Sequence, residues 1–214
     1  VAEQVMAYIL YFARRVDLQS ADMHDHCWNS RLMPGAKNHT IGLVGFGGIG
    51  TEVAKRAVPF GMKVIYFCRH PNPADDAAYG VQSVSMEELL KESDYVVAAV
   101  PLTDQTFHLF NEERIAQMKA GSVLINIARG PVVDEEALAQ ALASGHLGGC
   151  AVDVFPKEPC TNSVLTRYAN ALLTPHSATS TAENSKATNF AAANNLVNYL
   201  KKDIDAKYVV VQGT

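Results

Sequence analysis

One short apolar segment, residues 40–44, runs straight into Gly45-Phe46-Gly47-Gly48-Ile49-Gly50 and then into a helical pattern that reaches about Val58. Strand, tight glycine turn, helix: that order leaves few architectures open, and the chain then repeats it. Strands are expected at residues 63–67, 82–84, 95–100, 123–127, 151–154 and 171–173. Helices are expected after Ser85 and at 112–118, 134–144 and 181–201. Ser85 and Glu88 can close a capping box, and Gly121 and Gly145 mark helix ends. Residues 71–80, rich in Pro, Asn, Asp and Gly, read as a loop. Alternation of this kind builds βαβ units. The expected fold is therefore α/β, a Rossmann-type doubly wound parallel sheet with its core over residues 40–176.

The glycines of the turn have separate tasks. Gly45 allows the tight turn, Gly47 lets a pyrophosphate approach the backbone, and Gly50 lets helix and strand pack closely. The helix start, with Gly48 and Ile49, offers N–H groups and positive potential to phosphates. In this strand–turn–helix–strand setting the motif points to a dinucleotide. Alone it is weak, because a structural turn in an unrelated α/β protein can carry it. The end of the next strand bears on which dinucleotide. An NAD site usually has an acid there for the ribose 2′-hydroxyl. Here the residues are Cys68, Arg69 and His70. No carboxylate repels a 2′-phosphate and Arg69 can pair with one, so NADP(H) is favoured over NAD(H). The alternative is that Arg69 and His70 are solvated and Cys68 fills space.

Three later motifs place an Arg, a Glu and a His after apolar strands: Asn126-Ile127-Ala128-Arg129-Gly130, Asp153-Val154-Phe155-Pro156-Lys157-Glu158-Pro159 and Thr174-Pro175-His176-Ser177-Ala178. In a parallel sheet, residues just past the strand ends gather on one edge, where open α/β sheets bind ligands. A guanidinium matches a carboxylate bidentately and never titrates. A histidine is a natural acid/base near neutrality. Each residue also has a plainer reading. Arg129 could be a solvated turn residue, Glu158 a loop charge, His176 a satisfied turn histidine, and Asp153 a cap for the following turn.

The remaining features narrow the class. A net charge of -4 with no basic block argues against nucleic acid or an anionic membrane as partner. Four scattered cysteines (Cys27, Cys68, Cys150, Cys160) suit reduced thiols in a cytoplasmic protein. No apolar run is long enough to span a bilayer. His24-Asp25-His26-Cys27 holds metal-ligand residue types, but its spacing fits no common zinc pattern. It reads as an exposed arm with Trp28 packing as an anchor, and no metal is expected. In the first residues Ala2, Val5, Met6, Ile9, Leu10 and Ala13 recur at helical spacing, with Tyr8, Tyr11 and Phe12 on other faces. A helix apolar nearly all round wants partners on several sides. Residues 208–214 read as an extended tail.

Taken together, the glycine turn and the three motifs resemble the NAD(P)-binding domain of the D-isomer-specific 2-hydroxyacid dehydrogenase family, over nearly the whole chain. The resemblance implies an NAD(P)-dependent oxidoreductase moving a hydride between nicotinamide and a small 2-oxo or 2-hydroxy acid. It implies that Arg129 binds the substrate carboxylate and polarises the carbonyl. His176 then gives the carbonyl oxygen its proton, and Glu158 pairs with His176 and keeps it protonated. Asp153 would hold the nicotinamide carboxamide. Val100, Pro101, Thr106, Ile127, Ala128 and Ser177 would line the cofactor along with the glycine turn. Residues 1–15 and 181–201 would be domain-crossing helices, and the chain would be a homodimer. The segment that builds most of the family's substrate domain precedes the first helix and is absent from these 214 residues. The chain is thus expected to fold and bind NADP(H) but to turn over weakly or not at all alone. A catalytically idle NAD(P)-binding sensor or corepressor-like scaffold is the alternative; formate or phosphite oxidation on the same scaffold is a third reading.

Overall fold

The computed structural model describes residues 1–203 together with Asp205 and Tyr208. The tail read as extended lies outside these residues, apart from Tyr208. The chain divides into two compact units, Val1–Ala178 and Thr179–Thr214.

The first unit begins with α1 (Ala2–Arg14) and α2 (Val16–His24). The alternating part follows: β1 (Thr40–Val44), α3 (Gly48–Ala57), β2 (Lys63–Phe67), α4 (Pro73–Tyr79), β3 (Gln82–Ser83), α5 (Met86–Glu92) and β4 (Tyr95–Ala98). It continues through α6 (Glu112–Ala116), β5 (Val123–Asn126), α7 (Glu135–Ala143), β6 (Gly149–Val152) and β7 (Ala171–Leu173). The second unit is α8 (Ala182–Leu200), whose first turn is capped by Thr181 Oγ1 accepting the Asn184 N–H at 3.1 Å.

All seven strands pair in parallel, in the order β3-β2-β1-β4-β5-β6-β7. Strands of such a sheet are covered on both faces, and β4, β5 and β6 are buried along their whole length. The period of two divides their side chains between two cores. Val44, Val96, Ala98, Leu124 and Val152 join the core that contains Leu138 and Leu142 of α7. Ile41, Leu43, Val97, Ile125 and Ala151 face the other core, with Val5 and Ile9 of α1 and Val53 and Ala57 of α3. The strand order reverses between β1 and β4, which is where doubly wound sheets open their ligand crevice.

The expected architecture is the observed one, with local corrections. Residues 73–79 are a helix and not part of a loop. Asn72 Oδ1 accepts the Ala74 N–H at 3.1 Å, Pro73 opens the first turn, and Gly80 closes the last at φ 66°. These are helix-boundary residues as much as loop residues. α2 carries no amphipathic signal and buries no residue, so periodicity could not show it. β4 stops at Ala98, and β6 runs from Gly149 to Val152, two residues earlier than the pattern suggested. Trp28 does not anchor its arm, being 88% exposed. Arg31 ties the arm to α2 instead, through an ion pair with Asp22 at 2.8 Å.

Candidate active site

Sheet register builds the site. Val44 pairs with Ala98, Ala98 with Asn126, Asn126 with Val152, and Val152 with Leu173. Five strands therefore end level, and Gly45, Ala99, Ile127, Asp153 and Thr174 form the next row along one edge. Arg129 and His176 each lie two residues beyond that row. Glu158 lies five beyond it and is folded back.

Gly45 leaves β1 at φ 102°, and a Cβ on it would stand 2.4 Å from the Ala99 carbonyl oxygen. Only glycine meets both demands. Gly47 and Gly48, at the start of α3, have nothing within 4 Å of where a Cβ would be. The fold therefore does not need glycine there for space, whereas a ligand approaching the backbone would.

The second glycine that matters for assembly is Gly130. A Cβ there would stand 2.0 Å from the Phe155 carbonyl carbon and 2.3 Å from Pro156 N. This close approach seats the Arg129 turn on the backbone of the Phe155–Glu158 loop. Asn126 braces the turn from inside, with Oδ1 accepting the Ala128 N–H and Nδ2 donating to the Arg129 carbonyl, both at 3.1 Å. Arg129 Nη1 donates to the Ala128 carbonyl at 2.7 Å, which leaves the rest of its guanidinium fork for a ligand.

Glu158 and His176 meet at 2.7 Å between Oε2 and Nδ1. A carboxylate only accepts, so Nδ1–H is the donor, and Nε2 makes no hydrogen bond to the described residues. Glu158 Oε1 accepts the Phe155 N–H at 2.9 Å, which orients the carboxylate. The His176 ring, then the Phe155 N–H, hold the Glu158 carboxyl below its ordinary value, and the Arg129 charge acts the same way. The three side chains singled out by the sequence are thus one electrostatic group.

Asp153, 1% exposed, sits beneath them. Its Oδ1 accepts from Thr174 Oγ1 and from the Ser177 N–H, and its Oδ2 accepts the Ala178 N–H at 2.9 Å. The structure places this carboxylate in the His176 turn, with most of its acceptor capacity used there.

Two adjoining clefts lie along the same edge. One, of about 520 Å³, is lined by Gly45, Gly47, Cys68, Arg69, His70 and Thr106; the other, of about 430 Å³, by Ile49, Ile127, Ala128 and Arg129. Val100 and Pro101 line both. Thr106 closes its loop by donating to the Pro101 carbonyl at 2.6 Å. Gly48, Gly50, Asp153, His176 and Ser177 line neither cleft. The larger cleft also takes in Arg114, which the sequence reading passed over. It lies on short α6, and nothing local shows that α6 faces the cleft. Open backbone at a helix start and a largely apolar cleft with Arg69 and Arg114 in its lining fit a dinucleotide. Among the described residues no group of three or more His, Cys, Asp or Glu side chains could hold a metal ion.

Fold and site together define a dinucleotide-binding α/β domain carrying a hydrogen-bonded histidine–carboxylate pair. The chain belongs to the D-isomer specific 2-hydroxyacid dehydrogenase family, whose NAD binding domain its residues 6–178 match. It is 38% identical over 217 residues to a glyoxylate reductase of Thermococcus litoralis, covering 97% of this chain and 66% of that protein. It is 43% identical over 165 residues to a glyoxylate reductase of Pyrococcus furiosus, covering 77% of this chain and 49% of that one. The chain thus spans half to two thirds of the length of these relatives. Among solved structures, D-lactate dehydrogenase of Aquifex aeolicus complexed with NAD and lactic acid superposes with a TM-score of 0.89 at 30% identity. That match covers 100% of this chain and 70% of the other.

Proposed function

We propose that this chain is the cofactor-binding and acid/base portion of an NADP(H)-dependent reductase of small 2-oxo acids. The observation that carries this reading is the His176–Glu158 pair held beside Arg129 at the edge of the cleft. Arg129 grips the substrate carboxylate and polarises the adjoining carbonyl. His176 Nε2, free of partners among the described residues, donates the proton to the carbonyl oxygen, and Glu158 fixes the ring through Nδ1. Asp153 orients the nicotinamide carboxamide with its remaining acceptor capacity, next to Ser177. A bound dinucleotide supplies the hydride. The two relatives named glyoxylate reductase support a small 2-oxo acid as substrate. An idle scaffold is disfavoured because it has no use for a complete Arg, Glu and His set.

The preference for NADP(H) rests on the larger cleft. Arg69, His70 and Arg114 line it and no carboxylate does. The same reading has the protein act as a homodimer in the cytoplasm, with α1 and α8 as the domain-crossing helices.

Titration of NADPH against NADH tests the cofactor, with tighter NADPH binding expected; equal affinity refutes the preference. Reduction of glyoxylate, hydroxypyruvate and 2-ketogluconate is then compared between the parent protein and His176→Asn. A loss of ~10²–10⁴-fold with NADPH affinity retained is expected. Unchanged turnover in the variant overturns the assignment.

A further inference from the structure

α1 stands outside the strand–helix alternation, yet one of its side chains reaches the His176 turn. Tyr8 is 1% exposed, and its hydroxyl lies 2.5 Å from Thr174 Oγ1. Thr174 Oγ1 lies 2.5 Å from Asp153 Oδ1. Threonine has one hydroxyl proton and a carboxylate can only accept, so that proton goes to Asp153 and Tyr8 donates to the threonine. Burial raises the pKa of the Tyr8 hydroxyl, which keeps it a donor. The hydrogen bonds therefore run one way, from α1 through Thr174 into a buried carboxylate.

Asp153 passes this order on to the turn. Its carboxylate takes the N–H groups of Ser177 and Ala178, each at 2.9 Å, and its main-chain oxygen takes the His176 N–H at 2.8 Å. His176 sits at φ 51°, a left-handed conformation that a non-glycine residue keeps only when its surroundings impose it. Three backbone N–H groups in a row on one buried residue are such an imposition. A buried carboxylate in turn keeps one geometry only while its donors are in place.

We propose that Tyr8 and Thr174 are positioning residues for His176: acting through Asp153, they hold the 174–178 turn in the backbone conformation that delivers the imidazole to Glu158. Its bearing on catalysis rests on His176 being the proton donor; the positioning itself does not.

The test uses the 214-residue chain with ¹⁵N-labelled histidine and backbone amides. Tyr8→Phe and Thr174→Val are compared with the parent and with Thr174→Ser, which keeps the hydroxyl. In both hydroxyl-deleting variants the His176 ring signals are expected to move. The Ser177 and Ala178 amides should exchange on the order of fivefold to tenfold faster, the scale of one lost hydrogen bond. Amides of β1 and β4 keep their rates, and Thr174→Ser restores the parent pattern. His176 signals and turn amides at parent values in Tyr8→Phe overturn the proposal, as does faster exchange spread evenly over the sheet. A second measurement needs no variant: the Tyr8 and Thr174 hydroxyl protons should exchange slowly in the parent, and rapid exchange of both overturns the chain of donors. Reduction that survives His176→Asn would instead overturn the catalytic reading and leave these signals unaffected.

Discussion

Replacing Gly130 by alanine tests whether the Arg129 turn and the Glu158 loop form one assembly. The new Cβ would stand 2.0 Å from the Phe155 carbonyl carbon. Carbon atoms rest about 3.5 Å apart at closest, so the loop must withdraw by about 1.5 Å. Backbone is what it meets, so no side-chain rotation relieves the clash. The loop carries Glu158, whose Oε2 accepts from His176 Nδ1 at 2.7 Å, and a shift of that size takes the bond beyond hydrogen-bonding distance. Overpacking costs roughly 1–3 kcal/mol, and the charge-assisted bond adds about 1 kcal/mol at this exposed position. At ~2–4 °C per kcal/mol for a chain of this size, melting should fall by roughly 5–15 °C. Gly47→Ala is the control. With nothing within 4 Å of its Cβ it should melt within a few degrees of the parent, yet lose dinucleotide affinity. Circular dichroism melts and dinucleotide titrations read both effects. Gly130→Ala melting within 2 °C of the parent, a limit of roughly 1 kcal/mol, would refute the reasoning.

Three further outcomes follow from the same geometry. Arg69→Ala should weaken NADPH binding by roughly tenfold or more and leave NADH unchanged, the value of a lost charge-assisted bond to a 2′-phosphate; parallel titrations check this, and equal losses would show that Arg69 does not meet that phosphate. Glu158 is held below its ordinary 4.5. A carboxyl depressed in the folded state contributes stability above its unfolded value and loses it as pH falls through the lowered one. The Glu158–His176 pair should therefore persist on acidification until below pH 4.5, and Glu158→Gln should abolish that acid step; NMR titration of the His176 ring reads it, and separation of the pair well above pH 4.5 would contradict it. Burial, with Glu135 in second place, pushes the Cys150 thiol up to about 12. A maleimide at pH near 8 should label exposed Cys27 first and leave Cys150 untouched in the folded chain, as mass spectrometry would show; early labelling of Cys150 would mean that the core opens there.

Much of this was legible locally. β1 and β2 fall where apolar runs predicted them, because mostly buried strands announce themselves by composition, and β7 falls on its expected residues although it is only half-buried. Gly45 was readable because its turn needs a positive φ. What escaped was local structure without periodicity. α2 buries nothing, and α4 was hidden by the Asn72, Pro73 and Gly80 that bound it, residue types shared by loops and helix ends.

The sequence by itself determined the parallel α/β fold, the glycine turn, and the choice of Arg129, Glu158 and His176 as the candidate site residues. It did so because each signal lies within a few residues of chain. Only the tertiary structure decided how they combine. Level strand ends bring Arg129 and His176 from β5 and β7 to one edge, and Gly130 seats the Arg129 turn against the loop that returns Glu158 to His176. Tyr8 joins from a helix 166 residues away along the chain from Thr174. Such contacts depend on sheet register and backbone approach between distant segments, and no local pattern encodes either.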